Sequence, residues 1–309
     1  MLHHSVLRQD REGDFTIVSG SGIDALDRSP DVQTVLVLHG ILGTHKNLRI
    51  MSRRILRDAA ASASRPTQLL LVDHRGHGGS EDIGGRDSTL RACSKDLEEL
   101  FFGLGLSRWP EVVIGHSFGG KVALDLLRRA KESGGLHAPA RDTWVLDALP
   151  GATDGNKSLE PQSVSRVLSE LRQITPPFAS RSALVRDMKG RGFSEMLAQW
   201  MTTNTKAAKD GTYEWAFDLD TIETLFADYR AVNYWGLLRE LEAHNSRVHF
   251  VRAGLNTAWT PAVLNDFETA MGGSGDSNIS LHHIPDSGHW VHVEALEEVA
   301  RLIEPTVCV

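Results

Sequence analysis

Two cysteines, Cys93 and Cys308, are all that 309 residues contain. They are too few and too far apart in sequence for a disulfide framework, and neither has the close second thiol of a metal motif. A reducing compartment is the expectation. Long apolar runs are also missing. None approaches the ~20 residues of a membrane helix, so no membrane span is expected. There is no basic excess. Lys and Arg total 33 against 40 Asp and Glu, for a net charge of −7, which argues against a general nucleic-acid binder. Repeats, low-complexity runs and charge blocks are absent. The first dozen residues show no signal-peptide core and no obvious transit peptide. The expectation is a cytoplasmic protein, or one of an organelle matrix or stroma if a transit peptide is missing from this sequence. Histidine is plentiful, at fourteen. Yet there is no H-E-x-x-H and no paired cysteine spacing, so neither a metal nor another cofactor is expected.

What is present has a rhythm. Strand-like runs at 15–18, 34–38, 68–72, 111–115, 143–147, 247–252 and 279–284 alternate with helix-like stretches at 47–62, 88–104, 118–131, 261–271 and 294–304. Alternating strand and helix predicts an α/β fold: a mostly parallel central sheet with helices on both faces. Between Pro150 and about residue 245 the rhythm stops. That segment opens with a polar loop, shows amphipathic helical pieces near 163–174 and 193–203, and carries no strand signal. It is too long for a loop in a compact domain. The expected division is a core of 1–150 and 246–309 with an inserted helical cap at 151–245. Phe178, Met188, Phe193, Met196, Trp200, Trp215, Phe217 and Trp235 of the cap would line a pocket in part. For any one of them, plain packing is the stronger expectation.

The densest signal is Pro110-Glu111-Val112-Val113-Ile114-Gly115-His116-Ser117-Phe118-Gly119-Gly120-Lys121. An apolar strand runs into a G-x-S-x-G and then a helix, which is the context of a nucleophile elbow. The turn lifts the Ser117 hydroxyl to a helix N-terminus, where free N–H groups favour negative charge. Acyl transfer also needs two N–H groups for the developing oxyanion. Phe118, after the serine, is one candidate. Ile41, in the loop His39-Gly40-Ile41-Leu42-Gly43 that ends an earlier strand, is the other.

A base should follow late in the chain. His289 sits in the turn Pro285-Asp286-Ser287-Gly288-His289-Trp290 after the last strand. His292 is its main competitor. His282 and His283 fall within a strand. His39, His74, His77 and His116 fall in loops, where shaping a pocket or hydrogen bonding is expected of them. The acid is the open member. The loop after Val251 holds no carboxylate, only Asn256. Asp147 ends the strand before the cap and is the preferred acid, with Asp266 and Asp286 as fallbacks.

These motifs, taken in order with Val72-Asp73-His74-Arg75-Gly76-His77-Gly78-Gly79-Ser80 and Leu146-Asp147-Ala148-Leu149-Pro150, resemble the α/β-hydrolase superfamily. Within it they are similar to the serine esterases of the abhydrolase-domain 11 and YbfF type and to related plant and algal hydrolases. The resemblance runs from about His39 to the C-terminus. It implies an esterase of broad range that uses Ser117, His289 and an acid at Asp147, with no cofactor. The implied partner is a small-molecule ester, including lipid esters and thioesters. The native substrate and the oligomeric state are left open. The competing reading is a small-molecule receptor, or a weakly catalytic binding protein on the same fold. Turnover of p-nitrophenyl esters separates the two.

Overall fold

A run such as Val35-Leu36-Val37-Leu38 has no polar face, so it is stable only where both faces are covered. The computed structural model describes residues 1–9, 13–20, 26–85, 87–134, 138–153, 164–241, 246–272 and 277–308. It places that run near the middle of an eight-stranded sheet. Its strands are β1 His4–Gln9, β2 Phe15–Gly20, β3 Gln33–Leu38, β4 Thr67–Val72, β5 Val112–His116 and β6 Asp142–Leu146, then β9 Arg247–Ala253 and β10 Ile279–Ile284. Across the sheet the order is β10-β9-β6-β5-β3-β4-β1-β2. From β10 to β4 every pair is parallel. β1 runs antiparallel to both β4 and β2.

Strand β1 is an addition to the seven expected strands. Its sequence, His-Ser-Val-Leu-Arg-Gln, has only two apolar residues, so it carries no strand signal. His4, Ser5, Val6 and Leu7 are nonetheless buried, with Val6 in the core on one face of the sheet and Leu7 in the core on the other, where α1 packs.

The two faces of the sheet build two cores. Successive strand residues point to opposite sides. Leu36, Leu38, Leu70, Val72, Val113 and Val145 face one core. Their chain neighbours Val35, Val37, Leu69, Leu71, Val112 and Trp144 face the other. Helices α2 Leu90–Gly103 and α3 Phe118–Glu132 cover the first face, and α1 Arg49–Ser62 packs on the second. Each fully buried aliphatic side chain contributes about 1.5–3 kcal/mol, so the twofold cover is the main support of the sheet.

Between β6 and β9 the described chain leaves the sheet. It forms α4 Val164–Leu171, α5 Arg181–Gly190, α6 Glu195–Thr202, a hairpin of β7 Thr205–Ala207 and β8 Tyr213–Trp215, then α7 Leu219–Ala231 and α8 Trp235–Arg239. The hairpin corrects the expectation of a segment without strands. Strands of three residues are too short to show a period. The polar stretch at 154–157 and the start of the helix expected at 163 lie outside the described residues. After β9 come α9 Pro261–Ala270, then α10 Val291–Glu294 and α11 Leu296–Val307, which packs beside α1.

Because β3, β5, β6, β9 and β10 are parallel, the loops that follow them emerge on one edge. Residues 39–43, Ser117, Asp147, 254–259 and 285–290 are therefore neighbours in space although remote in sequence. In open α/β sheets this carboxyl edge is where ligands bind.

Candidate active site

Ser117 stands between the last residue of β5 and the first of α3, at φ 51° and ψ −114°. That backbone is costly for a residue with a Cβ. The two glycines of G-x-S-x-G make the turn sterically feasible. A Cβ on Gly115 would lie 2.2 Å from the carbonyl oxygen of Gly119, and one on Gly119 would lie 2.5 Å from that of Leu38. Strand and helix can approach this closely only without those side chains.

Non-glycine residues with positive φ, among those described, are Leu42 (59°), Ser117 (51°) and Asp147 (50°). All three lie on the same edge of the sheet. Strain of this kind costs of order 1–3 kcal/mol per residue and persists where the surroundings over-determine it.

The side chains of Ser117, His289 and Asp147 meet there. The Ser117 hydroxyl is 3.1 Å from His289 Nε2, and His289 Nδ1 is 2.7 Å from Asp147 Oδ2. One tautomer fits both contacts: Nδ1–H donates to the carboxylate and Nε2 accepts from the serine. Asp147 is 2% exposed. A buried carboxylate needs donors, and it has four. Oδ2 accepts from His289 and from Asn256 Nδ2 at 2.7 Å. Oδ1 accepts from Trp259 Nε1 at 2.7 Å and from the Ala253 N–H at 3.0 Å. Asn256, which cannot supply a charge, thus supplies a donor to the residue that does. The fallback carboxylates Asp266 and Asp286 are both exposed and neither is the one that meets His289.

His289 is held from its backbone. His116 Nε2 donates to the His289 carbonyl at 2.8 Å. Glu294 accepts from the N–H groups of Gly288 at 2.7 Å and Trp290 at 3.3 Å. His292, the competitor, is 6% exposed and its ring lies 4.3 Å from that of His116. Burial pushes its pKa down to about 3, with the nearby His289 adding to the shift. His282 sits in β10 beside Trp144, and His283 in the same strand is exposed.

Phe118 is the first residue of α3, where the helix leaves its backbone N–H without an intrahelical partner. Ile41 belongs to a loop pressed against Ser117. A Cβ on Gly40 would lie 2.9 Å from His116 Nδ1 and 3.4 Å from the Ser117 Cβ. Buried histidines brace that loop. His77 Nε2 accepts from the N–H of Leu42 at 3.1 Å while its Nδ1 donates to the Arg75 carbonyl at 2.9 Å. His39 Nδ1 donates to the Gly40 carbonyl at 2.8 Å while its Nε2 accepts from the His74 N–H at 3.1 Å. Both rings must be neutral to do this. Burial lowers their pKa values to about 3 for His77 and about 4 for His39.

All five residues, Ser117, Phe118, Ile41, Asp147 and His289, border one cavity of about 470 Å³. Its remaining wall is mostly apolar, with Leu149, Val167, Leu197, Trp200, Phe226 and Tyr229 among its residues. That volume is typical of small-molecule sites. Of the eight cap residues considered from the sequence, Trp200 is the one in this wall. Phe178, Met188, Phe193 and Phe217 are buried in the packing of the segment between β6 and β9, Trp215 is half-buried and stacks on Phe217, Trp235 packs on Phe267 of α9, and Met196 is 60% exposed. Phe226 and Tyr229 were not anticipated, because nothing local in Leu219–Ala231 distinguishes its cavity face from its packing face.

A family model described as "Alpha/beta hydrolase family" matches residues 35–302. The chain belongs to the alpha/beta hydrolase family. Its family match covers β3 to α11, so it includes every residue of the site. Among curated proteins it is similar to the sn-1-specific diacylglycerol lipase ABHD11 of Mus musculus, at 22% identity over 267 residues, covering 86% of this chain and 78% of the relative. The ABHD11 of Danio rerio is 23% identical over 304 residues, covering 94% and 84%. Among solved structures it resembles a marine microorganism esterase, with a TM-score of 0.69 at 20% identity over 91% of this chain and 96% of the other. At that identity the structural likeness speaks for the fold.

Among the described residues no helix is long and apolar enough to cross a membrane. Cys93 and Cys308 are both free thiols.

Proposed function

We propose that this protein is a serine hydrolase of carboxylic esters and that it works through an acyl-enzyme on Ser117. The observation that carries the reading is the hydrogen-bonded series Ser117–His289–Asp147, whose serine end opens into the apolar cavity. The family membership and the esterase and lipase names of the relatives support it.

His289 takes the proton as the Ser117 oxygen attacks the acyl carbon. Asp147 holds the imidazole in the required tautomer and stabilises the imidazolium. The N–H groups of Phe118 and Ile41 receive the oxyanion. His289 then gives its proton to the leaving group, and water, deprotonated by the same histidine, releases the acid. The neighbours His116 and His292, both held neutral by burial, suit this role for His289, since a second cation beside it would oppose its protonation.

The segment 151–245 acts in this reading as a cap over the acyl group. An apolar wall built from Val167, Leu197, Trp200 and Phe226 fits the chain of a lipid ester or thioester better than a polar acyl group. Cap substitutions should therefore change acyl preference more than turnover of small activated esters.

The experiment is a fluorophosphonate probe and a panel of p-nitrophenyl esters, applied to the wild type and to Ser117→Ala. Labelling and turnover are expected in the wild type and absent from the variant. Full labelling of the variant contradicts the assignment, and ligand binding with one slow turnover or none is the behaviour of a receptor.

A further inference from the structure

Lys121 belongs to the G-x-S-x-G segment but has no part in the chemistry described above. It lies on α3 four residues after Ser117 and is fully buried. A buried ammonium needs acceptors for its protons. Lys121 Nζ donates to three backbone carbonyls of the segment after β6: Gly151 at 2.7 Å, Tyr229 at 2.7 Å and Val232 at 3.0 Å. Tyr229 and Val232 end helix α7, where carbonyls are left without helical partners and the dipole favours a cation. Burial pushes the Lys121 pKa down to about 7, with Asp228 opposing.

The clamp has a consequence at Ser117. Lys121 Nζ also lies 4.7 Å from the centre of the Tyr229 ring, and that ring lies 6.0 Å from the ring of Phe118. Tyr229 borders the same cavity as Ser117, and its phenol interacts with the Ser117 hydroxyl and with the charge of Asp147. Other bonds hold α7 to the core. The Asp218 N–H donates to the Gly76 carbonyl at 2.9 Å. Thr221 Oγ1 accepts from the Gly85 N–H at 3.1 Å, and Asp228 accepts from the Leu90 N–H at 2.7 Å. The helix that carries Tyr229 is therefore fixed along its length.

We propose that Tyr229 is a catalytic hydrogen-bond donor to the tetrahedral intermediate on Ser117, and that Lys121 is the positioning residue that fixes it there. The proposal rests on the esterase reading given above. Since Ser117 gives its own proton to His289, the phenol is the donor in the Tyr229–Ser117 contact. Once the serine oxygen has bonded to the acyl carbon, the leaving-group oxygen sits on that same carbon. A donor beside the first oxygen is within reach of the second as the ester bond breaks. His289 supplies the proton that the leaving group carries away, and Tyr229 keeps its own. Burial and Asp147 push its pKa up to about 12, which keeps it a donor at neutral pH.

The test compares kcat/KM for ethyl butyrate and p-nitrophenyl butyrate in the full-length wild type, Tyr229→Phe, Lys121→Met and the double variant. An alkoxide is a poor leaving group and needs the donor, whereas nitrophenolate does not. Tyr229→Phe is expected to lose about 10- to 100-fold on the ethyl ester, within the range of single transition-state donors, and less than about threefold on the nitrophenyl ester. Lys121→Met should show the same selective loss, and the double variant should lose no more than the worse single variant, as expected if one residue acts through the other. An unchanged ethyl-ester rate in Tyr229→Phe, or equal loss on both esters, overturns the donor role and leaves the esterase reading standing. Additive losses overturn the role of Lys121. If Lys121→Met does not fold, Tyr229→Phe decides the donor role alone. Absence of ester turnover in the wild type, or its persistence in Ser117→Ala, overturns both readings.

Discussion

Asp73 and Asp147 occupy equivalent places in one sheet. Each follows the last residue of a parallel strand, β4 and β6, and they are 1% and 2% exposed. Each accepts from the Nδ1 of a histidine: His45 for Asp73 at 2.8 Å and His289 for Asp147 at 2.7 Å. Each also takes a backbone N–H, from His45 at 2.7 Å and from Ala253 at 3.0 Å. The difference lies at the far nitrogen. His45 Nε2 is 3.0 Å from a guanidinium nitrogen of Arg49, and its side chain is 1% exposed. His289 Nε2 meets a serine hydroxyl in the cavity, and its side chain is 39% exposed. A histidine–aspartate pair is thus not a site by itself; what its second nitrogen faces decides what it can do.

Asp73 is the more heavily committed carboxylate. His3 Nδ1 at 3.1 Å and the Gly79 N–H at 2.9 Å complete its shell. Burial raises its pKa, but the hydrogen bonds from His3 and His45 outweigh that and hold it well below the usual carboxylate range. This cluster ties the N-terminal segment and the loop after β3 to the end of β4, a structural task.

The largest expected contrast comes from cutting the far end of each series. Ser117→Ala should lower kcat by about 10⁶-fold, the scale found when a serine nucleophile is removed. Arg49→Met should leave kcat within about threefold in the same ester assay. A large loss in both would erase the distinction between the open and the closed pair.

Next come the carboxylates themselves. Asp147→Asn should lower kcat by up to about 10⁴-fold, since an amide favours the wrong imidazole tautomer. Asp73→Asn should cost less than about tenfold in kcat and about 3–5 kcal/mol in stability, because it leaves several buried donors facing an amide. Parallel urea melts and steady-state kinetics check the pair of effects, and an exchange of the two phenotypes would break the comparison.

A third contrast is in pH. His39, His77 and His292 are neutral in the fold, with pKa values lowered by burial to about 4, 3 and 3. The unfolded chain takes up protons on these groups below about pH 6.5 while the folded chain does not. Their contribution is therefore complete above that pH and falls by about 1.4 kcal/mol per pH unit for each histidine as pH drops toward 4. Asp73, lowered in its turn, adds its loss only in the carboxylate range below. Thermal melts from pH 7.5 to 4 should show this fall, and His292→Gln should flatten it. A melting temperature constant across that range contradicts neutral burial.

The smallest effect sharpens the Asp147 side. Trp259→Phe removes one of four donors to that carboxylate while keeping most of the packing, and should cost about 1–3 kcal/mol in stability and up to about tenfold in kcat. Steady-state kinetics with chemical denaturation checks it, and wild-type values in both would mean that the Trp259 bond does not support the acid.

Much of this was legible in the sequence, for definite reasons. Strands β3, β5 and β6 are buried on both faces, so their stretches Val35–Leu38, Val112–Ile114 and Trp144–Leu146 read as apolar runs, and the glycines around Ser117 are demanded by close backbone contacts. Asp147 stood out because the loop after Val251 offers no carboxylate. Strand β1 was not legible, since its place is set by pairing with β2 and β4 and by the packing of both sheet faces rather than by its own composition. The hairpin at 205–215 was too short to show a period. Trp259, Glu294 and Tyr229 had no local signal at all. Their roles arise from contacts between segments more than a hundred residues apart, or across one turn of the chain in the case of Glu294.

The central claim is an ester-derived acyl group on the Ser117 oxygen, and trapping that group tests it most directly. Wild-type protein mixed with excess p-nitrophenyl butyrate, quenched in acid within the first turnovers, would be examined by intact mass and peptide mapping. The account predicts a mass increase of one butyryl group, confined to the peptide that contains Ser117, enriched in a variant slowed in deacylation and absent from Ser117→Ala. A butyryl group on any other residue, or rapid turnover by Ser117→Ala with no adduct, would contradict it.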